Sequence, residues 1–125
     1  LGVREHICFE SARPHHELPA LFREAALFVF PSLYESFGLP PLEALCSGTP
    51  VVCSDLEILR EILGPAARYA DPRDPEAFAT QCDALLDQPA LWAEQARAGR
   101  AVAAACCWAR CARETVRAYE RALEV

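Results

Sequence analysis

Apolar residues in this chain recur in two rhythms. Leu18, Leu21, Phe22 and Ala25 fall at i, i+3, i+4 and i+7, which predicts an amphipathic helix over 17–25. Leu27 to Pro31 is an apolar run without polar interruption, the pattern of a parallel strand covered on both faces. Pro50 to Cys53 repeats that pattern, and His6 to Phe9 gives a shorter version. Between the two stronger strands, the helical spacing predicts a helix from Pro40-Pro41 to near Gly48.

Downstream, Ser54-Asp55 reads as an N-cap pair for a short helix carrying Leu56, Leu59, Ile62 and Leu63, stopped at Gly64-Pro65. Ala66 to Ala70 is a weak, alanine-rich strand. Asp74 caps a further helix with Pro75 at its first position and a stripe of Phe78, Cys82, Leu85 and Leu86. Gln88-Pro89 breaks it. A helix over 90–99 and a last one over 107–123 complete the order. In the last, Trp108, Val116, Tyr119 and Leu123 share one face, and Arg110, Glu114, Arg117 and Arg121 the other. The order β-α-β-α-β-α-β-α-α-α fits an α/β open parallel sheet with helices on both faces. Ligands in such sheets bind beyond the carboxyl ends of the strands, where Ser32 to Leu39 and Ser54-Asp55 fall.

The stretch from Ser32 to Glu43 carries the chemistry. With Pro40 as the first helical position, Glu43 closes the first turn, and the amides of Phe37, Gly38 and Leu39 are free donors ahead of the helix. Gly38 leaves room for a ligand to approach the backbone. A helix start of this kind favours anions, phosphate above all. Two carboxylates beside it, Glu35 and Glu43, suit vicinal hydroxyls instead. A phosphate joined to sugar and ribose hydroxyls, a nucleotide-sugar, satisfies the whole arrangement. The bland alternative makes Glu43 an acid that complements the helix dipole and Glu35 a solvated loop residue.

Glu35 and Glu43 have seven residues between them, and the text around them runs P-S-x-x-E-S-F-G-L-P-P-L-E-A-x-x-x-G-T-P-V-V from Pro31 to Val52. This resembles the E-x7-E donor-binding stretch of retaining, GT-B-fold glycosyltransferases of the group 1 type. The resemblance implies a Rossmann-like fold and a place in the C-terminal, nucleotide-sugar-binding domain of such an enzyme. On it, residues 1–125 form one domain, incomplete at its N-terminal side. Glu35 would be the catalytic residue and would face the donor sugar hydroxyls. Ser36, Phe37, Gly38 and Leu39 would line the sugar and diphosphate, and Glu43 would take the ribose. The resemblance also implies hexosyl transfer without metal or cofactor. Its acceptor would be a sugar, a lipid or another small molecule, held by a domain absent from this chain. The basic pair that clamps the diphosphate would lie upstream. The last helix would cross back onto the missing domain. Where relatives often carry a glycine after the first strand, this chain has Glu10 and Ser11.

Composition narrows these readings. At 125 residues and 53% hydrophobic, the chain can bury the core of one domain. A net charge of −6 argues against nucleic acid or an anionic membrane surface as partner. No apolar run reaches the length of a membrane span, so membrane contact could come only through parts outside this chain. All twelve basic residues are arginine, which excludes a Schiff-base lysine and a P-loop. The lack of methionine suggests a piece of a longer chain, inactive alone. Seven cysteines, an odd number with no C-x-x-C pair, read as buried free thiols in a reducing cytoplasm. His15 and His16 read as a solvated turn without a partner. A dehydrogenase-type dinucleotide fold lacks its G-x-G-x-x-G turn here. A non-catalytic Rossmann-like nucleotide-binding or interaction domain stays open as the alternative.

Overall fold

The computed structural model describes residues 2–124. Three parallel strands, β1 (Phe28–Phe30), β2 (Val51–Ser54) and β3 (Ala67–Ala70), form one sheet in the order β1-β2-β3. Val29 pairs with Val52, and Val52 with Arg68. The described residues also form six α-helices: α1 (Leu18–Glu24), α2 (Leu39–Ser47), α3 (Glu57–Leu63), α4 (Pro75–Asp87), α5 (Pro89–Ala105) and α6 (Trp108–Leu123). The α/β class with a parallel sheet is as the sequence predicts.

Alternation along β2 divides the core in two. Val51 and Cys53 point to one face, into a cluster with Phe22, Leu42, Leu45, Leu59 and Leu63 from α1, α2 and α3. Val52 points to the other, where Ala70, Phe78 and Leu85 bring in α4. Every residue of β2 is buried. The apolar run at β1 is covered less well than its pattern predicts, because Val29 at the sheet edge is 40% exposed.

Two glycines bracket α2. Gly38 precedes it with φ 93° and Gly48 follows it with φ 86°, the left-handed region that glycine adopts without a Cβ penalty. The Gly48 amide donates to the carbonyls of Ala44 and Leu45, closing the helix. Buried Thr49 turns its hydroxyl to the Phe22 carbonyl, tying α1 to the entry of β2. Asp74 accepts from the Ala77 amide at 3.0 Å, the cap its position predicts.

Several expectations are corrected. His6 to Phe9 is no strand: Arg4–His6 is a three-ten turn, and Ile7 and Phe9 are exposed with no strand of the described sheet beside them. The helix over 17–25 shortens to α1, since His15–Glu17 winds as three-ten and Ala25 is extended. Helix α2 starts at Leu39, so Pro40 and Pro41 follow its first residue. Ser54 ends β2 and donates to the Phe30 carbonyl, while Leu56, not Asp55, precedes α3. Helix α5 continues past Gly99 to Ala105, because that glycine sits against Leu45 rather than in a turn. Leu86 is exposed, so the α4 stripe ends at Leu85. Among the cysteines Cys53 is buried and Cys82 half-buried. Cys8, Cys46, Cys106, Cys107 and Cys111 are exposed, and all are free. No residue of α6 is buried.

Candidate functional site

Strand β1 delivers the chain to the sheet's carboxyl edge, and the loop from Pro31 to Gly38 turns there. Ser32 Oγ donates to the Tyr34 carbonyl at 2.6 Å, folding the loop's first half. In the second half, Glu35 curls over its own backbone. Its Oε1 accepts from the Ser36 amide at 2.9 Å and the Phe37 amide at 3.3 Å. Gly38 is packed so tightly that a Cβ would meet Leu59 Cδ2 at 2.6 Å and Glu35 Cγ at 3.8 Å. The left-handed turn and this contact together demand glycine. No side chain caps α2. Pro40 and Pro41 carry no N–H and the Leu42 amide donates to the Gly38 carbonyl, so Leu39 is the residue of the first turn whose amide is left for a ligand.

A cavity of about 360 Å³ lies beyond the ends of β1 and β2, lined by Leu33, Tyr34, Glu35, Leu56, Glu57, Ile58 and Glu61. Three of its side chains are carboxylates and none is basic. Such a lining accepts hydrogen bonds and repels phosphate, which suits a polyhydroxyl group.

Glu43 stands elsewhere. As the fifth residue of α2 it begins the second turn, and it does not line that cavity. It is half-buried, and its Oε1 lies 3.0 Å from His15 Nε2. Helix α1 packs on α2, and the three-ten turn ahead of α1 carries His15 to the carboxylate. His15 therefore has the partner its sequence neighbourhood does not show. Leu39 is exposed at the head of the helix, as is Phe37 in the loop. The expected free amide of Phe37, and that of Ser36 beside it, are engaged by Glu35.

Glu57 and Glu61 escape the linear reading. Four residues apart, they share one face of α3, and that helix follows the carboxyl end of β2. Asp55, predicted as a cap, is instead held by Arg60 through two hydrogen bonds, one of 2.8 Å from Nη2. Those bonds keep the Asp55 carboxyl below its ordinary value. The Arg60 guanidinium lies 4.5 Å over the Tyr69 ring, so it is turned away from the cavity mouth. Among the described residues, no three His, Cys, Asp or Glu side chains converge as a metal site. No described helix is long and apolar enough to cross a membrane.

The family model for glycosyl transferases group 1 matches residues 1–102, which take in the whole of this loop, cavity and helix. The chain belongs to that family. Among curated proteins, this group 1 chain is 44% identical to an O-antigen chain mannosyltransferase B of Escherichia coli, over 86% of its own length and 28% of that protein's. It is 36% identical to an MMP alpha-(1->4)-mannosyltransferase of Mycolicibacterium hassiacum, over 98% of its length and 31% of the relative. Among solved structures it superposes on a sucrose-phosphate synthase from Thermosynechococcus elongatus with a TM-score of 0.89 and 27% identity, covering 98% of this chain and 31% of that one. The chain thus spans less than a third of each relative. Its Rossmann-like architecture is that of a GT-B glycosyltransferase domain. The family match ends within α5, leaving α6 outside it.

Proposed function

We propose that this chain supplies part of the donor site of an enzyme that transfers a glycosyl group from a nucleotide-sugar with retention at the anomeric carbon. One observation carries the reading. Glu35 reaches an acid-lined cavity at the carboxyl edge of the sheet, immediately ahead of an uncapped helix start, within the stretch matched by the family.

In this reading Glu35 accepts from hydroxyls of the donor sugar and orients it; no covalent role is assigned to it. The amides of Gly38 and Leu39, with the α2 dipole, face the sugar and the departing diphosphate, while those of Ser36 and Phe37 hold the Glu35 carboxylate beside them. Charge grows on that leaving group as the glycosidic bond breaks, and oriented amides stabilise it without reorganisation. Glu43 accepts from the ribose. No metal or cofactor is assigned. The diphosphate clamp and the acceptor site, for a sugar, a lipid or another small molecule, belong to parts outside these 125 residues. The reaction belongs in the cytoplasm, where nucleotide-sugars are the activated donors, and any membrane contact lies in those other parts. The mannosyltransferase names of the relatives make a mannosyl donor the first to test.

The test is a transfer assay on the complete enzyme with a panel of nucleotide-sugars that includes GDP-mannose, the product's anomeric configuration being read by NMR. Transfer with retention, and loss of kcat in Glu35→Ala, is expected. Inversion overturns the mechanism. Nucleotide binding without turnover on any donor and acceptor would favour a non-catalytic nucleotide-binding or interaction domain.

A further inference from the structure

His15 and Glu43 are 28 residues apart in sequence, yet Nε2 of one lies 3.0 Å from Oε1 of the other. An ionised carboxylate only accepts, so the ring donates through Nε2–H. The neighbouring charges are satisfied among themselves. Arg13 pairs with Glu10 at 2.6 Å and lies 3.6 Å from Glu17, while His16 lies 4.0 Å from Glu17. This leaves Glu43 as the charged partner of His15.

The pair has a mechanical meaning. A half-buried glutamate at a helix surface still samples several rotamers, and a ligand that needs one of them bears the cost of freezing the rest. The histidine takes one carboxylate oxygen and leaves Oε2 and the remaining lone pairs free to accept. It is itself seated by a rigid scaffold, since α1 behind it is locked to the core through buried Phe22 and the Thr49 hydroxyl.

We propose that His15 is a positioning residue that holds the Glu43 carboxylate in place for the ribose hydroxyls of the donor. This rests on the donor-site reading above. The residue acts through Glu43 and is not catalytic, so it governs donor affinity and leaves kcat unchanged.

The experiment measures binding of GDP and UDP, and of their 2′,3′-dideoxy counterparts, to the complete enzyme by calorimetry. His15→Ala should weaken the ribonucleotide that binds by about two- to fivefold, the range of an exposed charge-assisted contact. It should leave the dideoxy compound unaffected, because that ligand offers Glu43 no hydroxyl. His15→Gln, which keeps a donor N–H, should restore most of the loss. In the double variant with Glu43→Ala, the histidine substitution should add nothing. An unaltered ribonucleotide affinity in His15→Ala, beside a weakened one in Glu43→Ala, overturns this inference alone. Equal losses on ribo and dideoxy ligands overturn it too, by showing a general structural role. No effect of Glu43→Ala on either nucleotide, or no binding by the wild type, overturns the donor-site reading beneath it.

Discussion

Gly99 of α5 lies so close to Leu45 of α2 that a Cβ on the glycine would come within 2.6 Å of the leucine Cδ2 and 3.3 Å of its Cβ. Leu45 is fully buried in the larger core cluster, so it has nowhere to retreat. Gly99→Ala should therefore destabilise the protein, although alanine favours a helix by about 1 kcal/mol. Overpacking of this kind costs about 1–3 kcal/mol, so the net effect is a loss of up to about 2 kcal/mol. A urea titration of the two proteins measures it, and a stabilised variant would contradict the close packing of α5 on α2.

Alkaline pH should loosen the core through Cys53. Burial, with Asp55 adding to it, pushes that thiol up to about 12 from an ordinary 9.0. Between those values the unfolded chain releases a proton that the folded chain keeps. The unfolded state then binds fewer protons, so stability falls as pH rises, by about 1.4 kcal/mol per pH unit for one full proton. Tyr69, raised above its ordinary 10.0 by burial and by the nearby Cys53, acts with the same sign at higher pH. Urea midpoints between pH 8 and 11 should drop, and the drop should be shallower in Cys53→Ala. Equal slopes in both proteins would remove Cys53 from the effect. Thiol labelling at neutral pH gives a second reading: the five exposed cysteines should react fast and Cys53 only on unfolding. Labelling the denatured, unreduced protein should find all seven thiols free.

Glu43→Ala in the complete enzyme should raise the donor KM by about tenfold to a hundredfold, since a hydrogen bond to a charged group is worth about 1.5–3 kcal/mol. Folding should be intact, because Glu43 is half-buried outside the apolar clusters. Unchanged donor kinetics would take Glu43 out of the site.

The isolated chain of 125 residues should show no glycosyl transfer and weak nucleotide-sugar binding at most. Its cavity holds three carboxylates and no basic group, so nothing in it can balance a diphosphate. Turnover by the purified chain, in a radiolabelled-donor assay, would place the whole reaction within these residues.

Local pattern was enough for the order and type of the elements from Leu27 to Asp87, because each announces itself within its own length, but it misassigned the Asp55 cap and the Leu86 end of the α4 stripe. The valines of β2, the glycines flanking α2 and the Asp74 cap all act on neighbours a few residues away. What failed depended on distance. The apolar letters of Ile7 to Phe9 resemble a strand, but a strand needs a ladder partner and the described sheet supplies none there. Gly99 looked like a stop signal, and its cause is Leu45, over fifty positions earlier. The site divides in the same way. Glu35 and Gly38 were readable in place. The His15 partnership with Glu43, and the entry of Glu57 and Glu61 into the cavity, exist only once α1 and α3 have docked.

The glycines at either end of α2 also set a ruler. At Gly38 an added Cβ would strike Leu59, and at both ends the left-handed backbone, φ 93° and φ 86°, strains any residue with a side chain, so neither end point shifts freely to a neighbouring residue. Between them stand nine helical residues, about 13 Å at 1.5 Å each. That span fixes how far the Glu35 loop stands from the start of β2. One residue more or fewer would rotate everything beyond it by about 100° and bring a side chain to a left-handed turn that strains it. Insertions and deletions therefore have no place between positions 38 and 48. They belong in the exposed, irregular stretch from Phe9 to Arg13, ahead of the turn that Pro14 caps, where a peptide tag or reporter can be accommodated.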